Sequence, residues 1–129
     1  MGTFKLSKPA LLVASLLAAG SVMAQTVNIG VSVSATGPAA SLGIHERNTV
    51  ELLPTKVGEV ELRYFVLDDA TDTSQAVRNM RKLISEQNVD VMVGSTVTPG
   101  SLGMVDVGAE MKVPVISLAG NAVVVEPQE

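Results

Sequence analysis

The sequence predicts an α/β protein built on a doubly wound parallel sheet, with its elements in the order β-α-β-α-β-α-β. Four short runs rich in β-branched residues recur along the chain, and amphipathic stretches of helical length separate them. Connections between parallel strands cross over in the right-handed sense almost without exception, so this alternation is expected to form half of a doubly wound sheet. No internal repeat or low-complexity linker divides the chain.

Each of the four predicted strands is an apolar run in which valine, isoleucine and leucine dominate. The runs cover residues 27–33, 60–67, 89–93 and 113–118. Short runs with many β-branched side chains are typical of pleated, partly buried strands.

Three helices are predicted between these strands. The clearest covers residues 74–87, where apolar residues recur at spacings of three and four and charged residues occupy the opposite face. Asp72, followed three residues later by Gln75, resembles a capping box and marks the start of this helix. Its apolar face consists of Ala76, Val77, Met80, Leu83 and Ile84.

The first and third helices have weaker patterns. The first is predicted over residues 39–53, and Pro54 ends it. The third is predicted over residues 98–112, with Thr98 as its cap and Pro99 at the first helical position. The inward face of the third helix is predicted to consist of Leu102, Val105 and Ala109.

Residues 1–24 have the three-part pattern of a secretory signal peptide. Two lysines precede an apolar run over residues 10–19, and small residues follow up to Ala24. The run is shorter than the roughly 20 residues that span a bilayer. A buried helix or a signal anchor is the alternative interpretation. We expect cleavage after Ala24, which would leave residues 25–129 in the periplasm without stable membrane insertion.

The composition argues against several classes of function. The chain of 129 residues has a net charge of −4, two Phe, one Tyr and no Trp, so it lacks the basic patch and the stacking residues of nucleic-acid binding proteins. The absence of cysteine removes disulfides, thiol nucleophiles and thiolate metal sites. The single histidine, His45, is too little for a histidine-rich metal site and is expected on a solvated helix face. We therefore expect no cofactor, no metal and no nucleic-acid partner.

Ligands of open α/β sheets bind at the carboxyl ends of the strands, and three loops have that position. We call them the first loop (residues 34–43), the second loop (94–98) and the third loop (119–122). They are rich in small and hydroxyl side chains and contain no charged residue, which suits binding more than catalysis. Ser95 and Thr96 precede a predicted helix whose N–H groups and dipole can hold a carboxylate. Alternatively, the hydroxyls of this loop simply cap the helix.

Three aspartates follow the second predicted strand. Asp68, Asp69 and Asp72 could indicate a metal site or a phosphoacceptor. We favour the alternative that they cap turns and the following helix, which is the commoner use of aspartate at such positions. The chain has neither a G-x-G-x-x-G nor a P-loop motif, so a nucleotide site has no support.

Several short motifs occur in order between residues 27 and 127. They read IGV, TGPAASLG, LDDATD, QAV, VGST, TP and VPVISLA. In order and spacing they resemble the periplasmic substrate-binding proteins of branched-chain amino acid ABC transporters, the type I, Leu/Ile/Val-binding family. The resemblance implies a two-lobed binding protein, not an enzyme, that closes on its ligand by a hinge.

The same resemblance implies a role for each of the three loops. In that family the first loop lines the ligand's side-chain pocket, here at Leu42. The second loop holds the ligand carboxylate, here through Ser95 and Thr96. The third loop offers a backbone carbonyl and a side-chain oxygen to the ligand's ammonium group, here at Ala119 and Asn121. Asn121 departs from the family pattern, which has Ser or Thr at this position.

The function implied by the resemblance is the extracytoplasmic solute-binding component of an ABC importer for branched-chain amino acids or related small solutes. Its partners would be a small-molecule ligand and a membrane permease. Residues 25–129 match only the N-terminal lobe, and three valines at positions 123–125 are expected to be exposed, so we expect a fragment that lacks the second lobe. The alternatives are a ligand-sensing regulatory domain of the same fold, or a small α/β phosphoacceptor or enzyme domain that uses Asp68 and Asp69.

Overall fold

A five-stranded sheet organises the described part of the protein. The computed structural model describes residues 25–124, so the predicted signal peptide and residues 125–129 lie outside the described residues. The strands are β1 (Thr26–Val33), β2 (Lys56–Val57), β3 (Val60–Asp68), β4 (Val91–Gly94) and β5 (Val115–Ile116). Their order in the sheet is β2-β3-β1-β4-β5.

The pairing of the strands confirms the predicted doubly wound parallel sheet. β1 pairs in parallel with β3 and with β4, and β4 pairs in parallel with β5. The sequence does not predict β2, which pairs antiparallel with the start of β3. The turn between them contains Gly58 at a φ of +58°, a backbone conformation that favours glycine. A glycine turn, rather than a strand-like sequence, therefore creates this short pair.

Helices cover both faces of the sheet, because successive residues of β1 point to opposite sides. Val31 and Val33 are buried on the side of α1 (Ala40–Val50), where Val50 packs against them. Ser32 points to the other side, where it contacts α2 (Thr73–Gln87). The third helix is α3 (Thr98–Met111). Within the described part of the chain, no helix combines the length and hydropathy that crossing a bilayer requires.

The structure confirms the apolar face predicted for α2. Ala76, Met80 and Leu83 are buried in the main core, and Val77 and Ile84 pack against it.

The start of α2 is only half of the predicted capping box. Asp72 caps the helix, since its Oδ1 accepts a hydrogen bond from the backbone N–H of Gln75 at 2.6 Å. The Gln75 side chain does not reach back to Asp72 and instead donates to Asn79 Oδ1 at 2.8 Å. The capping signal thus locates the start of the helix, while the Gln75 side chain hydrogen-bonds to the buried Asn79.

α3 turns a different face inward from the one that the sequence predicts. Leu102 and Val105 are only partly buried, and Ala109 is exposed. Most sides of this helix are apolar, so hydrophobicity alone does not select a face. Small residues select it, because Gly100 and Gly108 let the helix backbone approach the second loop and β5. The buried residues of α3 are Gly100, Ser101, Met104, Val107 and Gly108.

Three further predictions at the periphery are wrong. α1 ends at Val50 rather than at residue 53, because the chain turns there through backbone hydrogen bonds from Leu52 and Leu53. The fourth predicted strand pairs only over Val115–Ile116, since Pro114 has no N–H to extend the ladder. Of the three valines expected to be exposed, Val123 is exposed, Val124 is buried beside α3, and Val125 lies outside the described residues. His45 is exposed on α1, as predicted.

Gly43 of α1 lies against the backbone of Ser34, just after the end of β1. A Cβ at this position would lie 2.1 Å from the carbonyl oxygen of Ser34, a backbone atom. We expect Gly43→Ala to lower the free energy of unfolding by about 2 kcal/mol, because the clash forces α1 and the first loop apart. Urea denaturation followed by circular dichroism measures the change.

Gly120→Ala is the matched control, because a Cβ at Gly120 meets no atom within 4 Å. Its effect should stay within about 0.5 kcal/mol. Helix propensity alone would make Gly43→Ala stabilising by about 1 kcal/mol. A stabilised Gly43→Ala protein would therefore contradict the close contact.

Candidate functional site

The carboxyl ends of β1 and β4 lie side by side where the strand order reverses. β1 has β3 on one side and β4 on the other, so the first crossover and the later ones proceed in opposite directions along the sheet. Open α/β sheets bind ligands in the crevice at such a switch point. The first and second loops leave the sheet at this edge, and the third loop follows β5 beside them. We take this edge as the candidate binding site.

Asp69 is the buried centre of the edge, with no exposed surface. Its Oδ1 accepts the Ser34 hydroxyl at 2.7 Å and the Thr71 N–H at 3.1 Å. Its Oδ2 accepts the Ser95 hydroxyl at 2.7 Å and the Ser32 hydroxyl at 3.1 Å. Four donors surround the carboxylate and match its acceptor capacity. The residue thereby joins the carboxyl ends of β1, β3 and β4.

Hydrogen bonds extend from this centre to two helices and to the third loop. Asn79 of α2 donates to the Ser32 hydroxyl at 3.2 Å. Ser101 of α3 donates to the Ser95 carbonyl at 3.0 Å, and Ser117 donates to the Ser101 hydroxyl at 3.0 Å. Because these polar groups find partners in the interior, the network fixes the three loops relative to one another.

Ser95 and Thr96 lie together in the second loop, and neither of them caps α3. Ser95 is fully buried and uses its hydroxyl on Asp69. Thr96 is 7% exposed, and its hydroxyl accepts the Ser34 N–H at 2.8 Å and donates to Glu46 at 2.5 Å. The interpretation that these hydroxyls cap the helix is therefore wrong.

The first turn of α3 has no side-chain cap. Val97 is the N-cap residue, so the predicted capping role of Thr98 is wrong and Pro99 occupies the second helical position. Proline has no N–H, and among the described residues no side chain accepts from the N–H groups of Thr98 and Gly100. These donors and the positive end of the helix dipole give the edge a surface that suits an anion.

Asp68 is exposed at the same edge and holds the first loop. Its Oδ2 accepts the Thr36 hydroxyl at 2.6 Å, and its Oδ1 accepts the Ala70 N–H at 2.8 Å and the Thr36 N–H at 3.2 Å. Slight burial opposes ionisation, but the hydrogen bonds outweigh it and hold the pKa of Asp68 below its usual value of 3.8. The charged form of Asp68 therefore stabilises the folded loop.

The turn-capping interpretation of the three aspartates is confirmed. Asp68 and Asp69 accept N–H groups from the turn that follows β3, and Asp72 caps α2. No cluster of three or more His, Cys, Asp or Glu side chains suited to a metal occurs within residues 25–124. A phosphoacceptor needs an accessible oxygen, whereas Asp69 is buried and both of its oxygens already accept hydrogen bonds.

The other predicted ligand-binding residues lie on the surface of this part of the protein. Leu42 is 59% exposed in the first turn of α1. Ala119 is half-buried, and its carbonyl accepts the Asn121 N–H at 3.0 Å. Asn121 is exposed, and its Oδ1 accepts the Val123 N–H at 3.1 Å. The third loop is thus a tight turn, and the binding roles of these residues stay predictions.

Sequence analysis misses two neighbours of the site. Asn79 is buried on the apolar face of α2, where the spacing of apolar residues gives no indication of a polar role. Glu46 reaches the second loop from α1, 50 positions away in the sequence. A contact between such distant residues leaves no local pattern, so only the fold shows it.

Three surface grooves lie along the sides of the sheet. One, of about 500 Å³, lies between α3 and β5. A second, of about 570 Å³, lies between α1 and β3. A third, of about 300 Å³, lies between β3 and α2. None of the three is lined by a predicted ligand-binding residue, so these grooves do not mark the candidate site.

Comparisons with known proteins point to one family. The sequence profile of the periplasmic binding protein family matches residues 26–128. An extracellular ligand-binding receptor from Rhodopseudomonas palustris HaA2 is 44% identical, with a TM-score of 0.76 over 80% of this chain and 28% of that protein. A solute binding protein of an ABC transporter from Rhodopseudomonas palustris BisB5, in complex with 3,4-dihydroxy benzoic acid, is 28% identical, with a TM-score of 0.72 over 77% and 29% of the two chains.

A more distant structure supports the fold alone. A leucine binding protein from Thermotoga maritima MSB8 is 24% identical, with a TM-score of 0.68 over 79% of this chain and 30% of that protein. The chain spans less than a third of the length of these solved structures. No match was found among curated proteins. The names of the relatives describe binding proteins, in agreement with the prediction that the chain is not an enzyme.

Removal of the buried carboxylate should destabilise the whole edge. Asp69→Ala leaves three buried hydroxyls without their acceptor, and each such group costs about 1–3 kcal/mol. We expect the free energy of unfolding to fall by about 3 kcal/mol or more, measured by urea denaturation. Asp106→Ala, at an exposed position of α3, is the control and should change it by less than about 0.5 kcal/mol. Equal effects of the two variants would argue against the network.

Asp68 should make stability depend on pH in the acid range. Because its folded pKa is depressed, its contribution is present above the unfolded value of 3.8 and is lost as pH falls through the folded pKa. We expect Asp68→Asn to flatten the decline in thermal midpoint between about pH 5 and pH 2 relative to the unsubstituted protein. Asp106→Asn should leave that decline unchanged, and a parallel decline in Asp68→Asn would contradict the assignment.

Proposed function

The chain belongs to the periplasmic binding protein family, and from this membership we propose that residues 25–129 form the N-terminal lobe of an extracytoplasmic solute-binding protein that serves an ABC importer. The observation that supports this proposal most directly is the uncapped first turn of α3 at the switch point of the sheet. In the proposal, residues 1–24 direct export to the periplasm and a membrane permease receives the loaded protein. A second lobe would close over the edge from the opposite side.

The solute carboxylate would bind at the start of α3. The N–H groups of Thr98 and Gly100 and the helix dipole supply the attraction. Ser95 would act through its backbone and hold the loop in place, because its hydroxyl is committed to Asp69. Thr96 keeps 7% of its surface exposed, but its one hydroxyl hydrogen is donated to Glu46, so it would also act through its backbone.

The remaining contacts would come from the other two loops. Leu42 offers an exposed apolar side chain to the apolar part of the solute. Asn121 and the carbonyl of Ala119 offer oxygens to an ammonium group, and Asn121 is exposed. Selectivity in such sites arises from a few placed polar groups together with an apolar wall.

We propose branched-chain amino acids or related small solutes as the ligands. The site combines an anion-binding helix start, oxygens for a cation and an apolar side chain, which are the groups an aliphatic amino acid needs. Among the structural neighbours, one is named a leucine binding protein and two are solute-binding proteins in complex with hydroxylated benzoates. An anionic carboxylate is common to these solutes.

Leu42→Ala tests the proposed apolar wall in the natural gene product that contains this sequence. We expect about a tenfold loss of affinity for leucine by isothermal titration calorimetry, because a buried leucine side chain contributes about 1.5–3 kcal/mol. Leu52→Ala is the matched control, since Leu52 is 85% exposed just beyond the opposite end of α1. Equal affinities in the two variants would remove Leu42 from the site. Absence of binding to any amino acid or aromatic acid in the unsubstituted protein would contradict the proposed function.

A further inference from the structure

One contact at the second loop has no part in the binding role described so far. Glu46 of α1 is half-buried, and its Oε2 accepts the Thr96 hydroxyl at 2.5 Å. The same hydroxyl accepts the backbone N–H of Ser34 at 2.8 Å, so Thr96 is itself fixed. The Glu46 carboxylate is therefore held against the loop that leads into α3.

No protein cation neutralises Glu46 among the described residues. Its second oxygen, Oε1, makes no hydrogen bond to any residue between 25 and 124. The ion pairs in that part of the chain join Arg63 to Glu61, Arg78 to Asp72 and Arg81 to Glu110. One carboxylate oxygen and its charge thus remain available to a ligand at this edge.

Glu46 connects the two ends of the proposed binding site. It lies one helical turn after Leu42, so the two side chains share a face of α1. Leu42 is the proposed apolar wall, and Thr96 belongs to the proposed carboxylate site. The carboxylate and the ammonium group of an amino acid are attached to the same carbon atom. A ligand carboxylate at the start of α3 therefore places its ammonium group within reach of this region.

We propose that Glu46 is a specificity-determining residue that favours solutes with an ammonium group beside a carboxylate over aromatic acids that carry a carboxylate alone. This inference rests on the proposed function. A protein carboxylate close to the anion site attracts the ammonium group of a zwitterion and repels a simple anion. Partial burial strengthens both effects, because solvent screens the charge less.

A structural tether between α1 and the second loop is the competing explanation of this contact. Glu46→Gln separates the two, because glutamine has nearly the same size and keeps an oxygen that can accept the Thr96 hydroxyl. The charge is lost, and one carboxylate oxygen becomes an amide NH2 group. Loss of a structural tether would lower the affinity for every ligand alike, whereas loss of the charge would change the ratio of affinities between ligands.

The test uses the natural gene product that contains this sequence, with leucine and 4-hydroxybenzoate as probes in isothermal titration calorimetry. We expect Glu46→Gln to weaken the binding of leucine about tenfold or more, because a hydrogen bond to a charged group is stronger than one to a neutral group. Binding of 4-hydroxybenzoate should stay equal or tighten. Glu51→Gln is the control, since Glu51 is exposed at the other end of α1 and its loss changes the net charge equally.

The outcomes separate this inference from the proposed function. A leucine to 4-hydroxybenzoate affinity ratio that falls in Glu46→Gln and not in Glu51→Gln supports the role of Glu46. An unchanged ratio, including an equal loss for both probes, overturns that role and leaves the solute-binding function intact. If the unsubstituted protein binds neither probe nor any other amino acid or aromatic acid, the proposed function fails and this inference fails with it.

Discussion

Asp69 places a carboxylate in a fully buried position, where a charge without partners would cost several kcal/mol. Three serine hydroxyls and one backbone N–H offset that cost. Those donors come from β1, from the first loop, from the turn after β3 and from the second loop, so all four meet only when three separate strands end at the same place. The geometry of the candidate site follows from this requirement.

This requirement changes the meaning of the hydroxyl-rich loops. In the sequence, Ser34 and Ser95 suggest polar groups that await a ligand, yet both hydroxyls point inward to Asp69. What remains for a ligand at the second loop is the backbone of an uncapped helix, because the one hydroxyl hydrogen of Thr96 is donated to Glu46. The side chains build the site, and its proposed anion contacts are largely main-chain groups.

The fold was predictable from the sequence because its determinants are local. β-branched runs and the amphipathic pattern of α2 identify the strands and the clearest helix without reference to distant residues. The inward face of α3 was not predictable, since Gly100 and Gly108 act through what lies opposite them in space. The contact between Glu46 and Thr96 was not predictable for the same reason. Residues close in sequence determine the helices and strands, whereas contacts between residues distant in sequence determine the geometry of the candidate site.

Ser95 and Thr96 are adjacent in sequence, yet carboxylates on opposite sides of the sheet hold them. Asp69 accepts from Ser95 on the side of α2 and α3, and Glu46 accepts from Thr96 on the side of α1. With both side chains held in this way, the main chain that continues into α3 has little freedom to rotate. The N–H groups of the first helical turn are thereby preorganised, and preorganised donors bind an anion without a further loss of conformational entropy. At the second loop, therefore, the bonds that hold the scaffold together also orient the groups that are proposed to bind the ligand.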